Sequence, residues 1–294
     1  MADELNIPTH RWYQKRNHIA LAKEDFSRQY IYDSGIQKID AWINSQPWGN
    51  PIPYLFANDE QGAWYDPSDL TTLFQDTAGT TPVTAAGQTV ARMDDTSGNG
   101  NHATQPTAAA RPTYQTDGTY RWLSFDGVDD TMETSAFIQP GGGFYAAHGF
   151  NVLSEGGNAA AGDSFGSLRN VDRESVGWRS SGTYQYGSRL RVSGGVSYIT
   201  SFTITGGTGS FGNNYVGDGW HDGLTLNARL SNGQSSSLAA EEIATGTPQM
   251  LTLANDSNYR FFGGIFRDGP PPPSDTRDQV QQYLADKTGV TLCD

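Results

Sequence analysis

The most regular hydrophobic pattern in the chain lies between residues 224 and 231. Leu224, Leu226, Ala228 and Leu230 alternate with polar residues, and this period of two predicts a β-strand with one buried and one solvated face. Asn232-Gly233 follows at once, a dipeptide that favours the tight turn of a β-hairpin. The segment therefore predicts a half-buried strand that runs into a hairpin.

Segments of similar character recur along the chain, and glycine-rich breaks separate them. Gly194-Gly195, for example, predicts the turn of a hairpin between two strands. The predicted strands are 89–93, 121–125, 144–152, 184–192, 196–204, 224–230, 250–254 and 259–266. Because the chain has 35 glycines and only 17% charged residues, its composition favours an all-β, two-sheet antiparallel sandwich over a helical bundle.

One helix is predicted near the end of the chain, after the prolines at 270–273. Ser274 is the expected N-cap, acidic residues stand in the first turn, and Lys287 in the last turn complements the helix dipole. Gly289 is expected to end the helix. The residues on its predicted packing face are Val280, Tyr283, Leu284 and Lys287.

Residues 1–55 differ from the rest of the chain, because glycine occurs there only twice and aromatic and basic residues are interleaved. This arm is predicted to be partly helical, with a short helix over 35–46 and extended chain at the prolines that follow. The helix carries an apolar stripe that needs a packing partner, either the following domain or another protein. The stripe consists of Ile36, Ile39, Trp42 and Ile43.

Several blocks between residues 62 and 134 join short apolar strands to turns of Asp, Asn and Gly. They include Trp64-Tyr65-Asp66-Pro67, Ser97-Gly98-Asn99-Gly100-Asn101-His102 and Phe125-Asp126-Gly127. These blocks resemble the opening of concanavalin A-like, laminin-G-like jelly-roll domains, especially those of tailed-bacteriophage virion proteins. The resemblance implies an antiparallel jelly roll over residues 56–294, which follows the arm of residues 1–55 and ends in one helix.

The net charge of −13 lies outside residues 1–41, which hold six basic and six acidic residues. Such an acidic body repels phosphates, so nucleic acid is not an expected partner. Cys293 is the single cysteine and leaves no intrachain disulfide. We find no secretory signal and no membrane span in the sequence, and we therefore expect a protein that is made in a cytoplasm and has no membrane partner. The resemblance implies that this is the host cytoplasm and that the protein is part of the virion.

Oxygen-bearing side chains gather in two of the predicted loops. Calcium takes about six to eight oxygen ligands, often including the backbone carbonyls of glycine-rich turns, and domains similar to this one often bind calcium at a sandwich edge. Asp and Asn are also the usual residues of tight turns, and we favour this interpretation over a calcium site. The candidate ligands are Asp94, Asp95, Asn99, Asn101, Asp126, Asp129 and Asp130.

The sequence contains no catalytic motif that we recognise. Related jelly rolls include glucanases with carboxylates at alternate positions of one strand, whereas Glu241-Glu242 and Asp129-Asp130 are adjacent and would point to opposite faces of a strand. The chain has no nucleophile elbow and no metal-binding histidine pair at helical spacing. Hydrolysis of a polysaccharide is therefore the alternative, and a protein without enzymatic activity is the prediction.

Aromatic residues in Gly-, Ser- and Asn-rich segments are candidates for sugar binding. Sugar faces stack on exposed rings while amides bind the hydroxyl groups; the competing interpretation is that such rings belong to the core. The candidates are Trp178, Tyr184, Tyr186, Tyr215 and Trp220.

The resemblance, together with the division into an arm and a jelly roll, implies a bacteriophage virion structural protein with a lectin-like display domain. Residues 1–55 would attach it to other virion proteins or to sister subunits of a homo-oligomer, and the jelly roll would face host-surface glycans. The position would be that of a tail or neck fibre or a capsid decoration. A carbohydrate-binding adhesin and a polysaccharide depolymerase of the same fold are the competing hypotheses.

Overall fold

The computed structural model describes residues 52–137, 143–155, 164–169, 175–180, 184–191, 197–203, 212–240, 250–253 and 257–293. These segments contain seventeen strands, one α-helix and short 3-10 helices. The strands are β1 (Gly62–Tyr65), β2 (Leu73–Phe74), β3 (Arg92–Met93), β4 (Ala103–Thr104), β5 (Thr113–Thr116), β6 (Arg121–Asp126), β7 (Met132–Glu133), β8 (Phe144–Glu155), β9 (Ser164–Arg169), β10 (Ser175–Ser180), β11 (Tyr184–Arg191), β12 (Ser197–Thr203), β13 (Asn214–His221), β14 (Thr225–Leu230), β15 (Ser235–Ala239), β16 (Thr252–Leu253) and β17 (Ser257–Asp268). The helix, α1, spans Ser274–Thr288.

The described strands form two sheets. The first sheet has the order β15-β14-β13-β8-β17-β6-β5, and β1 also pairs with β17. The second has the order β12-β11-β10-β9-β16-β7-β4-β3-β2. Every one of these pairs is antiparallel. The predicted all-β sandwich with a C-terminal helix is confirmed.

The core lies between the two sheets, and β8 shows how the sequence builds it. Side chains alternate between the faces of a strand, so Phe150 joins the inner cluster with Met132 and Leu253 of the second sheet. Tyr145, on the opposite face of β8, joins a separate outer cluster. The rings of Phe150 and Tyr186 stack between the sheets with centroids 5.6 Å apart.

The outer face of the first sheet is covered by α1 and by the 3-10 helix Ile52–Phe56. Val280 and Leu284 of α1 pack there with Tyr145 and Val216 of the sheet. Burial of such side chains stabilises the domain by about 1.5–3 kcal/mol each. Among the described residues, no helix is long and apolar enough to cross a membrane.

The sequence prediction missed several strands, including β9, β10 and the central β13, and two further details of it differ from the structure. Leu224, predicted to be buried, precedes β14 and is 77% exposed, because Asp222 forms a turn there by accepting the backbone N–H of Leu224 at 3.0 Å. Ser274 is the first residue of α1 and not its cap, since Pro273 occupies the N-cap position without a side-chain hydrogen bond. Gly289 ends the helix as predicted, in the left-handed conformation with φ of 72°.

Candidate functional site

An open groove of about 600 Å³ lies where the outer face of the first sheet meets the end of α1. Three side chains form a row along it, because Asn214 on β13 pairs with Asn151 on β8, and Asn151 pairs with Arg260 on β17. Paired residues of antiparallel strands project to the same face, with Cβ atoms about 4.5–5.5 Å apart. The other bordering residues are Gly212, Asn213, Tyr215, Gly289, Val290 and Thr291.

The two paired amides connect the sheet to the end of α1. Nδ2 of Asn151 donates to the backbone oxygen of Gly212 at 3.0 Å and to Oδ1 of Asn214 at 2.8 Å. Nδ2 of Asn214 donates to the backbone oxygen of Thr288 at 2.7 Å. Gly149 allows this approach, because a Cβ there would lie only 2.6 Å from Cγ2 of Thr288. These contacts fix the amides in place.

Asn151 also carries an unsatisfied acceptor. Its side chain borders the groove and is 1% exposed, and its Oδ1 is buried without a hydrogen-bond partner in the described part of the chain. A buried acceptor left without a donor costs about 1–3 kcal/mol. A donor that reached Oδ1 from the groove would recover this free energy.

Arg260 supplies the positive charge of the groove. Its guanidinium lies over the ring of Trp122, 4.9 Å from the centroid, and Trp122 also contacts the ring of Phe262, whose centroid is 5.7 Å away. Among the described residues, no carboxylate forms an ion pair with Arg260. No Asp or Glu borders the groove either, so the guanidinium is its one charged group within the described residues.

The first predicted calcium loop is a turn that binds its own backbone. Oδ1 of Asp95 accepts the N–H groups of Trp64 at 2.9 Å and Ser97 at 2.8 Å, and Oδ2 accepts the N–H of Asn101 at 2.9 Å. Nδ2 of Asn101 in turn donates to the backbone oxygen of Gly62 at 2.8 Å. These contacts support the favoured interpretation, in which the loop is fastened to β1 by its polar side chains.

The remaining two candidates of that loop are also engaged. Oδ1 of Asp94 accepts Nε of Arg92 at 2.6 Å, and Nδ2 of Asn99 donates to the backbone oxygen of Glu60 at 3.1 Å. His102 has a structural role, because its Nδ1 accepts the N–H of Asp95 at 3.1 Å.

The structure brings the second predicted loop together as an acidic cluster. Asp126, Asp129 and Asp130 each place an oxygen within 4.8 Å of the others. Oδ2 of Asp130 accepts the N–H of Asp126 at 2.9 Å. Burial, together with repulsion from the two neighbouring carboxylates, raises the pKa of Asp130 to about 6. This cluster fits either a tight turn or a cation site, and calcium binding stays a prediction.

The aromatic candidates fall into three groups. Tyr186 and Tyr215 are buried in the inner cluster, where both rings pack against Phe150; a buried ring cannot stack on a sugar, so the structure corrects the prediction for these two. Trp220 is partly buried and the guanidinium of Arg277 lies 4.1 Å from its ring centroid, which covers one face. Trp178 and Tyr184 lie on β10 and β11, and their side chains are outside the described part.

The predicted partner-binding stripe of Ile36, Ile39, Trp42 and Ile43 lies outside the described residues and stays a prediction. The last residues of the predicted arm are described, and Ile52 and Leu55 are buried in the outer cluster with α1. A truncation that tests the arm should therefore remove residues 1–51 and keep Ile52.

His148 on β8 is a buried histidine. It is fully buried, and burial lowers its pKa to about 3. Neither ring nitrogen has a hydrogen-bond partner among the described residues, and the ring lies 4.7 Å from that of Phe150. Because it is remote from solvent and lacks a partner to hold or receive its proton, His148 has no geometry for acid–base catalysis.

Comparison with known proteins does not assign this chain to a family. No protein-family model matches the chain, and no curated protein matches it. Solved structures with some likeness include a GH54 α-L-arabinofuranosidase soaked with a cyclic sulfate inhibitor (14% identity, TM-score 0.49, 81% of this chain and 65% of that one). They also include the binding domain of botulinum neurotoxin serotype G (8% identity, TM-score 0.48, 66% and 49%). The chain thus spans about half to two thirds of these all-β neighbours, and likeness at this level assigns it neither family nor function.

Proposed function

We propose that this chain is a structural protein of a tailed-bacteriophage virion whose β-sandwich binds host-surface glycans without cleaving them. The groove of Asn151, Asn214 and Arg260 is the observation that carries glycan binding. Its amides can donate to and accept from sugar hydroxyls, and its guanidinium can donate to them. Because no carboxylate among the described residues borders the groove, that part of the chain does not supply the pair of acids that glycoside hydrolysis requires.

The virion part of the proposal is supported by the resemblance of the strand-and-turn blocks at 64–67, 97–102 and 125–127 to phage jelly-roll domains. The apolar stripe of the arm would bind other virion proteins or sister subunits. The sandwich would then be displayed as part of a tail or neck fibre or as a capsid decoration.

A depolymerase is the second candidate, favoured by the cluster of Asp126, Asp129 and Asp130. A carboxyl group with a pKa of about 6 is what a general acid requires. All three carboxylates belong to one short turn, however, in which Asp126 also caps the N–H of Val128 at 2.8 Å. A hydrolase needs carboxyl groups on both sides of the scissile bond, so this geometry favours binding.

Attachment is tested on phage particles that carry the full-length chain. Ile39→Asp places a charge in the apolar stripe, and Gln37→Asp adds the same charge beside it as the matched control. We expect Ile39→Asp to reduce the amount of the chain in purified particles at least tenfold and the control to leave it unchanged. Equal incorporation of both variants would contradict attachment through the stripe.

Glycan binding is tested with the full-length chain on an array of bacterial surface glycans, with and without calcium. We expect binding to a restricted set of glycans and no release of reducing ends from them. No binding to any glycan would overturn the adhesive role, and release of reducing ends that is lost in Asp130→Asn would favour the depolymerase.

A further inference from the structure

We infer that the groove between β8, β13, β17 and the end of α1 is a binding site for an acidic saccharide, with Arg260 recognising the carboxylate of a uronic acid unit. This inference deepens the proposed function and rests on it. It concerns a specific site and ligand class, neither of which the proposed function alone fixes.

The guanidinium of Arg260 is suited to binding a carboxylate. A guanidinium presents a planar fork of donors that matches a carboxylate with two parallel hydrogen bonds. Three of the described arginines hold a carboxylate in an ion pair, among them Arg229, which binds Asp218 at 2.9 Å, and Arg267, which binds Glu60 at 3.0 Å. Arg260 has no such partner among the described residues, although the chain carries a net charge of −13. Asp117, whose pKa is lowered chiefly by backbone hydrogen bonds and also by attraction to Arg260, forms no ion pair with it, so the guanidinium keeps its donors available for an anion.

The contact with Trp122 orients the guanidinium of Arg260. The guanidinium lies 4.9 Å from the ring centroid, and Trp122 is itself 9% exposed and packed against Phe262. A cation–π contact of this kind attracts the guanidinium to the face of the ring. It also limits the orientations of the fork, so less conformational entropy is lost when a carboxylate binds.

The amide of Asn151 favours a ligand that carries hydrogen-bond donors as well as a carboxylate. Asn151 lies beside Arg260 in the strand register, and its buried Oδ1 lacks a donor in the described residues. A simple anion such as sulfate would satisfy the guanidinium but would bring only acceptors to Oδ1. A sugar acid brings hydroxyl donors together with its carboxylate, so it satisfies both groups at once.

The groove is large enough for a small ligand and is bordered by polar groups. Its volume of about 600 Å³ falls within the range of about 300–1,000 Å³ for small-ligand sites. Asn213, Thr291 and the backbone of Gly289 border it and offer further polar groups to hydroxyls. No exposed ring borders the groove in the described residues, because Tyr215 packs inward on Phe150. Recognition is therefore by charge and hydrogen bonds, which favours an acidic over a neutral sugar.

The test is isothermal titration calorimetry of the full-length chain with a glucuronic-acid tetrasaccharide and with its carboxyl-reduced, neutral counterpart. We expect the acidic tetrasaccharide to bind at least tenfold more tightly than the neutral one. Arg260→Gln should weaken that binding at least tenfold and Arg260→Lys less, because lysine keeps the charge but loses the fork. Arg121→Gln, which removes an arginine that does not border the groove, is the matched control and should leave the dissociation constant unchanged.

The contrary outcomes separate this inference from the proposed function. Equal affinity for both tetrasaccharides, or undiminished binding by Arg260→Gln with an unchanged melting temperature, would overturn the acidic-saccharide site while glycan binding stands. Displacement of the tetrasaccharide by equimolar inorganic phosphate would identify a simple anion site and also overturn it. If Arg260→Gln lowers the melting temperature, Arg260→Lys decides: it keeps the charge, should weaken acidic binding by less than tenfold, and would overturn the site if binding were unchanged. Failure of every glycan on the array would instead overturn the proposed function.

Discussion

The buried carboxylate of Asp218 is held by the guanidinium of Arg229 through two hydrogen bonds of 3.0 and 2.9 Å. Gln281 of α1 donates to the same carboxylate at 2.9 Å, so the β13–β14 hairpin and α1 share one polar contact. Asp218 is fully buried, and burial raises its pKa although Arg229 opposes the rise. The integrity of this cluster fixes the helix on the outer face of the sheet.

Removing Arg229 should therefore destabilise the protein strongly. Arg229→Met leaves a buried carboxylate without its cation, and breaking such a pair costs about 3–5 kcal/mol in free energy of unfolding. Asp278→Asn removes the exposed partner of Arg229, which lies 2.5 Å away and is 62% exposed, and should cost less than about 1 kcal/mol. Urea denaturation of both variants measures the difference; equal losses would contradict the central role of Asp218.

The two sheets approach so closely at Gly217 that an added methyl group should disrupt them. A Cβ at this position would collide with the ring of Tyr186 from the second sheet. Overpacking of this kind costs about 1–3 kcal/mol, so Gly217→Ala should lower the free energy of unfolding by that amount. In the double variant Gly217→Ala/Tyr186→Leu the loss should be smaller than the sum of the two single losses; strict additivity would contradict the contact.

Asp130 should make the protein less stable as the pH rises from about 4 to about 6. Its folded pKa of about 6 lies above the ordinary value of about 4, so the folded state binds the proton more tightly and the penalty is complete above pH 6. Asp130→Asn keeps an acceptor for the N–H of Asp126 and removes the charge. It should raise the free energy of unfolding at pH 7 by about 1 kcal/mol after allowance for solvent screening.

Chemical denaturation at pH 4, 5, 6 and 7 measures this effect. The difference between Asp130→Asn and the unmodified chain should grow across that interval. Asp129→Asn, a neighbour that is exposed, is the control and should change the pH profile less. A pH-independent difference for Asp130→Asn would contradict the raised pKa.

Asp66 should have the opposite pH dependence. Burial opposes its ionisation, but hydrogen bonds from Nζ of Lys287 at 2.8 Å and from Ser68 hold its pKa below the ordinary value. The carboxylate therefore contributes stability that is complete above pH about 4 and is lost as the pH falls through the lower, folded pKa. Lys287→Met should cost about 1–2 kcal/mol at pH 7.

The acid unfolding curve of Lys287→Met checks this sign. The unmodified chain should lose its advantage over the variant below pH about 4, where Asp66 becomes protonated. An advantage that persists undiminished at pH 2 would show that Lys287 acts only through packing on Tyr283, whose ring centroid lies 5.1 Å from Nζ.

The sandwich could be predicted from the sequence because its signals are local. The buried positions of β14 alternate as the pattern of Leu226, Ala228 and Leu230 predicts, and Gly289 marks the helix end. The groove could not be predicted in this way, because Asn151 and Arg260 meet only through the register of β8 with β17. The one local signal was Asn213-Asn214 after Gly212, a polar pair at the start of a strand that also fits an ordinary turn.

Calcium should not affect the first predicted calcium loop, which contains Asp95 and Asn101. Both oxygens of Asp95 already accept backbone N–H groups, so metal binding would require those hydrogen bonds to break. Asp95→Ala should lower the free energy of unfolding by about 1–3 kcal/mol equally with and without calcium. Calorimetric titration of chelator-treated protein should show no heat from this loop; calcium heat that disappears in Asp95→Ala but not in Asp126→Asn would contradict this assignment.

Binding without cleavage is tested most directly by incubating the full-length chain with a glycan identified on the array and measuring retention and reducing ends in one sample. We predict that the chain retains the polysaccharide, that the concentration of reducing ends stays at the level of a protein-free control, and that Arg260→Gln releases the polysaccharide. A rise in reducing ends with time that is abolished by Asp130→Asn and unaffected by Arg260→Gln would contradict the proposal and identify the chain as a depolymerase.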